Sequence, residues 1–412
     1  MKIKFAAVTA AAVVLPLAGT ASAEPLKIAI IETLSGPQAS TGILIKTAAE
    51  YGVAKLNAAG GYAGEQIELV GYDNQGGPVG AADRVKAAIA DGANVIVQGA
   101  SSAIAGQITE DVRKHNLRNK GKEVLFLNVA AEALALTGEK CHFHHFRFNP
   151  NAQIRVGAIT PVMKEAGVME GGVYSINQNY SWGTDMETAI KGFADTVGYK
   201  VVGDTLHDVN KIQDFSPYVA QIKNSGATAA ITGNWSNDLL LLMKAAGDAG
   251  LTTKFGTAFL DQPGNIANAG DIAEGHFLAG PFNAQAAGDA GDAFMEDYKA
   301  FSGHYPVYIE PQTAFGIQML GEALAAAPAS DGEVDINAIA AALENVSTTT
   351  PMGTVSMRAA DHQIQLPMVV SMVSADAKYK VDDTNYGFVP VRLLSAEEVS
   401  GPVQDSCDMK RP

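Results

Sequence analysis

Leu26-Lys27-Ile28-Ala29-Ile30-Ile31, followed by Glu32-Thr33-Leu34-Ser35-Gly36-Pro37-Gln38-Ala39-Ser40-Thr41-Gly42, is the stretch from which the architecture of this chain can be read. The first six residues form a short apolar run of strand character, Ser-Gly-Pro supplies a turn, and a helix is expected from near Gly42. The unit then repeats in outline. Gly64 to Gln75 reads as a second strand with an acidic exit, Asp83 to Ala90 as a helix and Asn94 to Gly99 as a third strand.

Upstream of that stretch, Lys2 and Lys4 give a positive start, Phe5 to Leu17 is almost wholly apolar, and Ala21-Ser22-Ala23 offers small residues for cleavage. This pattern is that of an export signal, and the apolar run is too short to span a bilayer comfortably. The expected mature chain starts near Glu24 in an exported compartment, most simply a bacterial periplasm. No cysteine follows the apolar run, so no lipid anchor is expected.

The alternation continues along the chain. Strands are expected at 124–129, 172–177, 200–206, 229–233 and 362–373. Helices are expected at 155–166, 183–196, 217–224 and 237–249, with an Ala-rich helical region over 289–327. Strands interleaved with helices point to α/β architecture with parallel sheets covered on both faces. In composition, 47% of the 412 residues are hydrophobic, enough for a large core, and the formal net charge is −15. Such acidity, without a basic cluster, argues against nucleic acid as a partner.

Taken together, the opening strand, the Ser-Gly-Pro turn and the Gly64–Gln75 segment resemble the type I periplasmic binding proteins, in particular the leucine/isoleucine/valine-binding branch. The resemblance extends to about residue 395. It implies two similar lobes, each a parallel sheet flanked by helices, joined by three crossings. Carried over, lobe 1 takes residues 24–148 and 279–357, lobe 2 takes 149–278 and 358–400, and 401–412 form a tail. Phe146 to Pro150 and Ala279 to Pro281 are candidate crossings. The function implied is delivery of a small ligand to the permease of an ABC importer, with the lobes closing around it.

Binding residues are expected where strands end. Gly99-Ala100-Ser101-Ser102-Ala103 enters a helix, and its hydroxyls and free N–H groups suit a carboxylate. Ser101 and Ser102 are therefore candidates, although either serine could simply cap the helix. In Asn128-Val129-Ala130-Ala131-Glu132, leucine-binding relatives have two small residues and then a threonine. Ala130 and Ala131 match that pattern and Glu132 departs from it. Two explanations stay open: the ligand is not a standard α-amino acid, or Glu132 points to solvent.

In the second lobe, Tyr180, Trp182 and Trp235 follow strands and precede helices, at loops that relatives use for aromatic contacts; packing between loop and helix is the alternative. Asp261 lies near the position of the family's ammonium-binding acid, and could equally be a turn residue. A branched-chain or other apolar amino acid is the first ligand class, an aromatic acid or small amide the second. A ligand-sensing receptor subunit is the alternative role.

Cys141 and Cys407 are the only cysteines. In an exported protein that even count suggests one disulfide clasping the tail, with two free thiols as the alternative. Cys141-His142-Phe143-His144-His145 superficially resembles a metal site, but solvated histidines flanking a strand are the simpler expectation. No Walker loop, His-Glu-x-x-His or spaced cysteine ligands occur, so neither an enzyme nor a cofactor is expected.

Overall fold

The computed structural model describes Met1 and residues 25–36, 38–329 and 333–412. The expected export signal at 1–23 therefore lies outside the described residues, apart from Met1. Two sheets organise the chain. Across the first, the strand order is Ser347–Thr350, Gly353–Arg358, Gln363–Gln365, His145–Arg147, Leu125–Asn128, Val95–Gln98, Lys27–Glu32 and Glu68–Asp73. Across the second it is Gly387–Leu394, Met368–Ser374, Phe277–Gly280, Lys254–Thr257, Ala229–Thr232, Val173–Gln178 and Val201–His207. Both are mainly parallel, with antiparallel strands at one edge where the chain returns late in the sequence.

Burial follows from that layering. Val95–Gln98, Leu125–Asn128, Ala229–Thr232 and Phe277–Gly280 are buried at every residue. Central strands covered by helices on both faces read as continuous apolar runs, which is why the first three were legible in the sequence; Phe277–Gly280 was expected only as a crossing at Ala279 to Pro281. The edge strand Glu68–Asp73 is partly exposed and mixed in character.

Gly42 shows how the opening stretch positions the rest. A Cβ there would sit 2.0 Å from the Thr33 carbonyl oxygen, so only glycine lets helix Ala39–Ala58 start hard against the strand exit. Gly183 does the same in the second lobe, where a Cβ would lie 1.8 Å from the Gln178 carbonyl oxygen.

Crossings between the sheets run from Arg147 to helix Ala152–Glu165, from Gly280 to helix Ala284–Ser302, and through Leu366-Pro367. The third differs from the expected change of lobe at 357/358. Gln363–Gln365 folds back as the hairpin partner of Gly353–Arg358 and meets Arg147, so it belongs to the first sheet. The strand expected over 362–373 is correspondingly two strands. The helical region expected over 289–327 is also two, Ala284–Ser302 and Glu310–Ala326; Gly303 ends the first in a left-handed conformation. Gly303 and Pro306 mark that break in the sequence, but the Ala-rich segments on both sides were read as one helical region.

The Cys141–Cys407 disulfide is formed, across a sequence separation of 266 residues. Arg411 strengthens the clasp, pairing with Glu344 at 2.7 Å. Replacing both cysteines by serine is expected to lower stability by roughly 2–5 kcal/mol, read as a lower melting temperature, with little change in ligand affinity.

The adjoining histidines are not solvated, contrary to the expectation. His142, His144 and His145 are all buried. His142 Nε2 meets the Thr109 hydroxyl at 2.9 Å, His144 Nε2 meets Asn337 at 2.8 Å, and His145 stacks on Phe126. Burial pushes His142 down to about 3 and His145 well below the ordinary histidine value, so these rings pack as neutral groups. No cluster of metal-binding side chains occurs among the described residues.

Candidate ligand-binding site

Between the lobes lies a cavity of about 320 Å³. Its first-lobe side is built from Thr41 in the first turn of helix Ala39–Ala58 and from two strand exits, Gly99 to Ser102 and Ala130 to Glu132. Its second-lobe side is aromatic, with Tyr180, Trp182, Trp235 and Phe259. Tyr308 and Ile309 close one end.

The polar floor is held from below. Glu32, at the end of the first strand, is fully buried, and its Oε1 accepts from the backbone N–H of Gly99 and, at 3.2 Å, of Ala100. Burial raises Glu32 to about 8, against the pull of those N–H groups. Gly99 packs so tightly on Ala130 that a Cβ would fall 2.7 Å from the alanine methyl. The two first-lobe loops thus form one rigid surface.

Ser101 precedes helix Ser102–Arg118 at φ +82 and makes no capping bond through its side chain. The simple capping role is therefore not what Ser101 performs, and the residue lies in the cavity wall. A helix start without a side-chain cap leaves N–H groups of its first turn available to a partner. Ser102 Oγ instead accepts from the N–H of Glu132 at 3.2 Å and of Ala133 at 3.1 Å, tying the two loops together. Thr41 is buried, and its hydroxyl has no partner among the described residues.

Of the two explanations left open by its sequence position, the structure removes the one in which Glu132 points to solvent. Glu132 lines the cavity, and its side chain is buried in a two-point ion pair with Arg155. The distances are 2.6 Å from Nη2 to Oε1 and 3.1 Å from Nε to Oε2. Arg155 belongs to helix Ala152–Glu165 of the second lobe, where it also donates to the Ala279 carbonyl and lies over the Phe259 ring at 5.2 Å. The pair therefore joins the lobes. A second contact across the same gap runs from the Leu134 N–H to Asp185 Oδ2 at 2.7 Å.

The tryptophans are fixed by hydrogen bonds as well as packing. Trp182 Nε1 donates to the Gly233 carbonyl at 2.7 Å, and Trp235 Nε1 donates to the Tyr180 hydroxyl at 2.7 Å. Satisfied ring nitrogens leave flat apolar faces toward the cavity.

Of the candidates read from sequence, the structure brings Ser101, Ser102, Ala130, Ala131, Glu132, Tyr180, Trp182 and Trp235 to this one cavity. Asp261 is not among its lining. It lines a neighbouring cavity, its carboxyl enclosed enough that burial raises it to about 6 although part of the residue is exposed; Arg155 pulls the other way. The sequence reading missed Thr41, Phe259, Tyr308 and Ile309. Thr41 stood within the opening stretch, and a cavity-facing hydroxyl carries no sequence mark of its own. Tyr308 was hidden inside the region read as continuous helix.

Comparisons place this architecture. The periplasmic binding protein family model matches residues 25–378. The chain belongs to the periplasmic binding protein family. It is 61% identical over 407 residues to Leu/Ile/Val-binding protein homolog 4 of Brucella abortus (strain 2308), covering 99% of this chain and 98% of that one. The Leu/Ile/Val-binding protein of Escherichia coli (strain K12) is 26% identical over 297 residues, 69% of this chain and 75% of that one. Among solved structures, the leucine-, isoleucine-, valine-, threonine- and alanine-binding protein from Brucella ovis, in its closed conformation, matches with a TM-score of 0.90. That structure is 62% identical and covers 95% of this chain and 100% of its own. No helix among the described residues of this binding protein is long and apolar enough to cross a membrane.

Proposed function

We propose that this protein is an exported receptor that binds a small apolar α-amino acid between its lobes and presents it to the permease of an ABC importer. The observation that carries this reading is the split character of the cavity. One side offers N–H groups and hydroxyls from Ser101, Ser102 and Thr41, suited to a carboxylate, and the other offers aromatic faces suited to an aliphatic side chain. The Glu132 carboxylate is taken up by Arg155 of the opposite lobe, so it acts in closing the lobes over the ligand and not as a free charge for the ammonium. The relatives that are 61–62% identical are named for leucine, isoleucine and valine, in one case with threonine and alanine, which supports the same class. The ligand docks on the first lobe and the second closes over it, drawing Arg155 onto Glu132 and shifting the population of states toward the closed form.

The test is a melting-temperature screen of the mature chain after removal of carried-over ligand by unfolding. Leucine, isoleucine, valine, threonine and alanine are compared with benzoate-type acids and small amides. A true ligand at one hundred times its Kd adds about 2.7 kcal/mol of stability. The expected result is a saturable rise with the aliphatic amino acids. A rise with aromatic acids or amides alone overturns the reading.

A further inference from the structure

Next to the interlobe cavity lies a second and larger one, with about 670 Å³ of empty space against 320 Å³, each partly open to solvent. Its walls are mainly apolar, including Leu278, Met295 and Phe388, with polar points at Asp261, Asn283 and Ser371 among others. Tyr308 is the one residue that lines both cavities. The ring packs edge-on against Phe259, with centroids 5.5 Å apart and planes at 86°.

Tyr308 holds this position in an unfavourable backbone conformation, at φ +57. A bulky aromatic residue at positive φ costs on the order of 1–3 kcal/mol and persists only where its surroundings impose it. The surroundings do so here. The buried carboxylate of Glu310 accepts from the Val307 N–H at 3.0 Å, from the Tyr298 hydroxyl at 2.7 Å, and meets His304 Nε2 at 2.9 Å. That acid pins the turn just before the ring, so the strain is maintained by a dedicated set of bonds.

We propose that Tyr308 is a specificity-determining residue: its ring is the partition that confines the ligand's side chain to the interlobe cavity and shuts it out of the larger cavity next to it. The inference rests on the amino-acid reading above and deepens it. It assigns the preference for short aliphatic side chains to one wall. The floor that holds the carboxylate is common to every α-amino acid and sets no size limit. An aromatic or long unbranched side chain needs the space that Tyr308 occupies.

The test measures Kd for leucine and phenylalanine by calorimetry in wild type, Tyr308→Gly, Tyr308→Asn and Tyr308→Phe. Glycine removes the ring and relieves the positive φ; asparagine is short and tolerates the same conformation, so one variant remains if the other misfolds. With either, the affinity for phenylalanine relative to leucine is expected to rise by about tenfold or more, a size that filling or vacating a few methylenes of pocket produces. Tyr308→Phe is expected to leave the ratio unchanged, because the ring and not the hydroxyl forms the wall. A ratio within about twofold of wild type in a folded variant that still binds leucine overturns the proposal. Wild-type protein that binds phenylalanine as tightly as leucine overturns it too. Failure of wild type to bind any aliphatic amino acid is a separate result, and sinks the functional reading itself.

Discussion

Arg155→Met is expected to weaken ligand binding by roughly two to three orders of magnitude, while the ligand-free protein keeps most of its stability. The reason is where the two partners sit. Glu132 belongs to the first lobe and Arg155 to the second, and their side chains are only 1% and 3% exposed. Removing one member of a buried pair leaves the other uncompensated, at about 3–5 kcal/mol. Glu132 incurs that cost only when the lobes meet. In an open form its carboxylate is free to hydrate, so the penalty falls on closure and appears as lost affinity. Glu132→Gln is expected to act in the same direction but less strongly, because the amide still accepts a hydrogen bond from the guanidinium. The double variant Glu132→Met with Arg155→Met is expected to recover part of the loss, since no orphaned charge remains. Calorimetric titration with leucine, alongside denaturant unfolding of the ligand-free forms, separates the outcomes. If Arg155→Met instead destabilises the ligand-free protein by the same few kcal/mol and binds leucine normally, the pair is a structural element of one fixed assembly and not a latch.

Glu32→Gln is expected to change how stability depends on pH. The Glu32 carboxyl is fully buried and titrates at about 8, against an ordinary value of 4.5. Its Oε2 has no partner among the described residues. Between those two pH values the folded chain keeps a proton that the unfolded chain has released. The unfolded state binds fewer protons there, so stability falls as pH rises from about 4.5 to about 8 and stays low beyond. Glutamine accepts the same two N–H bonds, from Gly99 and Ala100, and carries no charge at any pH. The stability of Glu32→Gln relative to wild type is therefore expected to grow by about 3–5 kcal/mol between pH 4 and pH 9. Urea unfolding of both proteins at a series of pH values reads this directly, and the buried histidines cancel in the difference. A difference that is flat with pH means that Glu32 does not titrate in this range, and that the floor of the cavity is held by an ordinary carboxylate.

The parts of this protein that were legible in sequence are those that local chemistry dictates. The strand at Lys27–Glu32, the turn after it and the glycine at 42 follow from side-chain size and backbone freedom, within a residue or two of where the structure puts them. Central strands buried on both faces announce themselves as apolar runs, and loops at their exits are where ligand groups belong. That reasoning reached Ser101, Trp182 and Trp235 without coordinates. It failed where neighbouring segments had the same composition. The break at 303–309 between two Ala-rich helices was passed over although Gly303 and Pro306 mark it, and Tyr308 within it was missed. It failed again at 363–365, where pairing with a strand two hundred residues earlier decides to which sheet three residues belong.

Charge was the least legible property of all. Glu132 stood out in the sequence as a departure from its relatives, but whether it faced ligand or solvent depended on a partner 23 positions later and on the opposite lobe. Glu32 gave no signal, because an acid at a strand end is ordinary until its surroundings exclude water. The sequence by itself determined the α/β alternation, several of the central apolar strands, most of the cleft-lining loops and the two cysteines available to form a bridge, since each rests on interactions local in the chain or on a count of residues. Only the tertiary structure decided which buried charges are paired, which carboxyl keeps its proton, and which ring divides the cavities. Those outcomes depend on dielectric and on distances between segments remote in sequence, and no pattern of nearby residues encodes them.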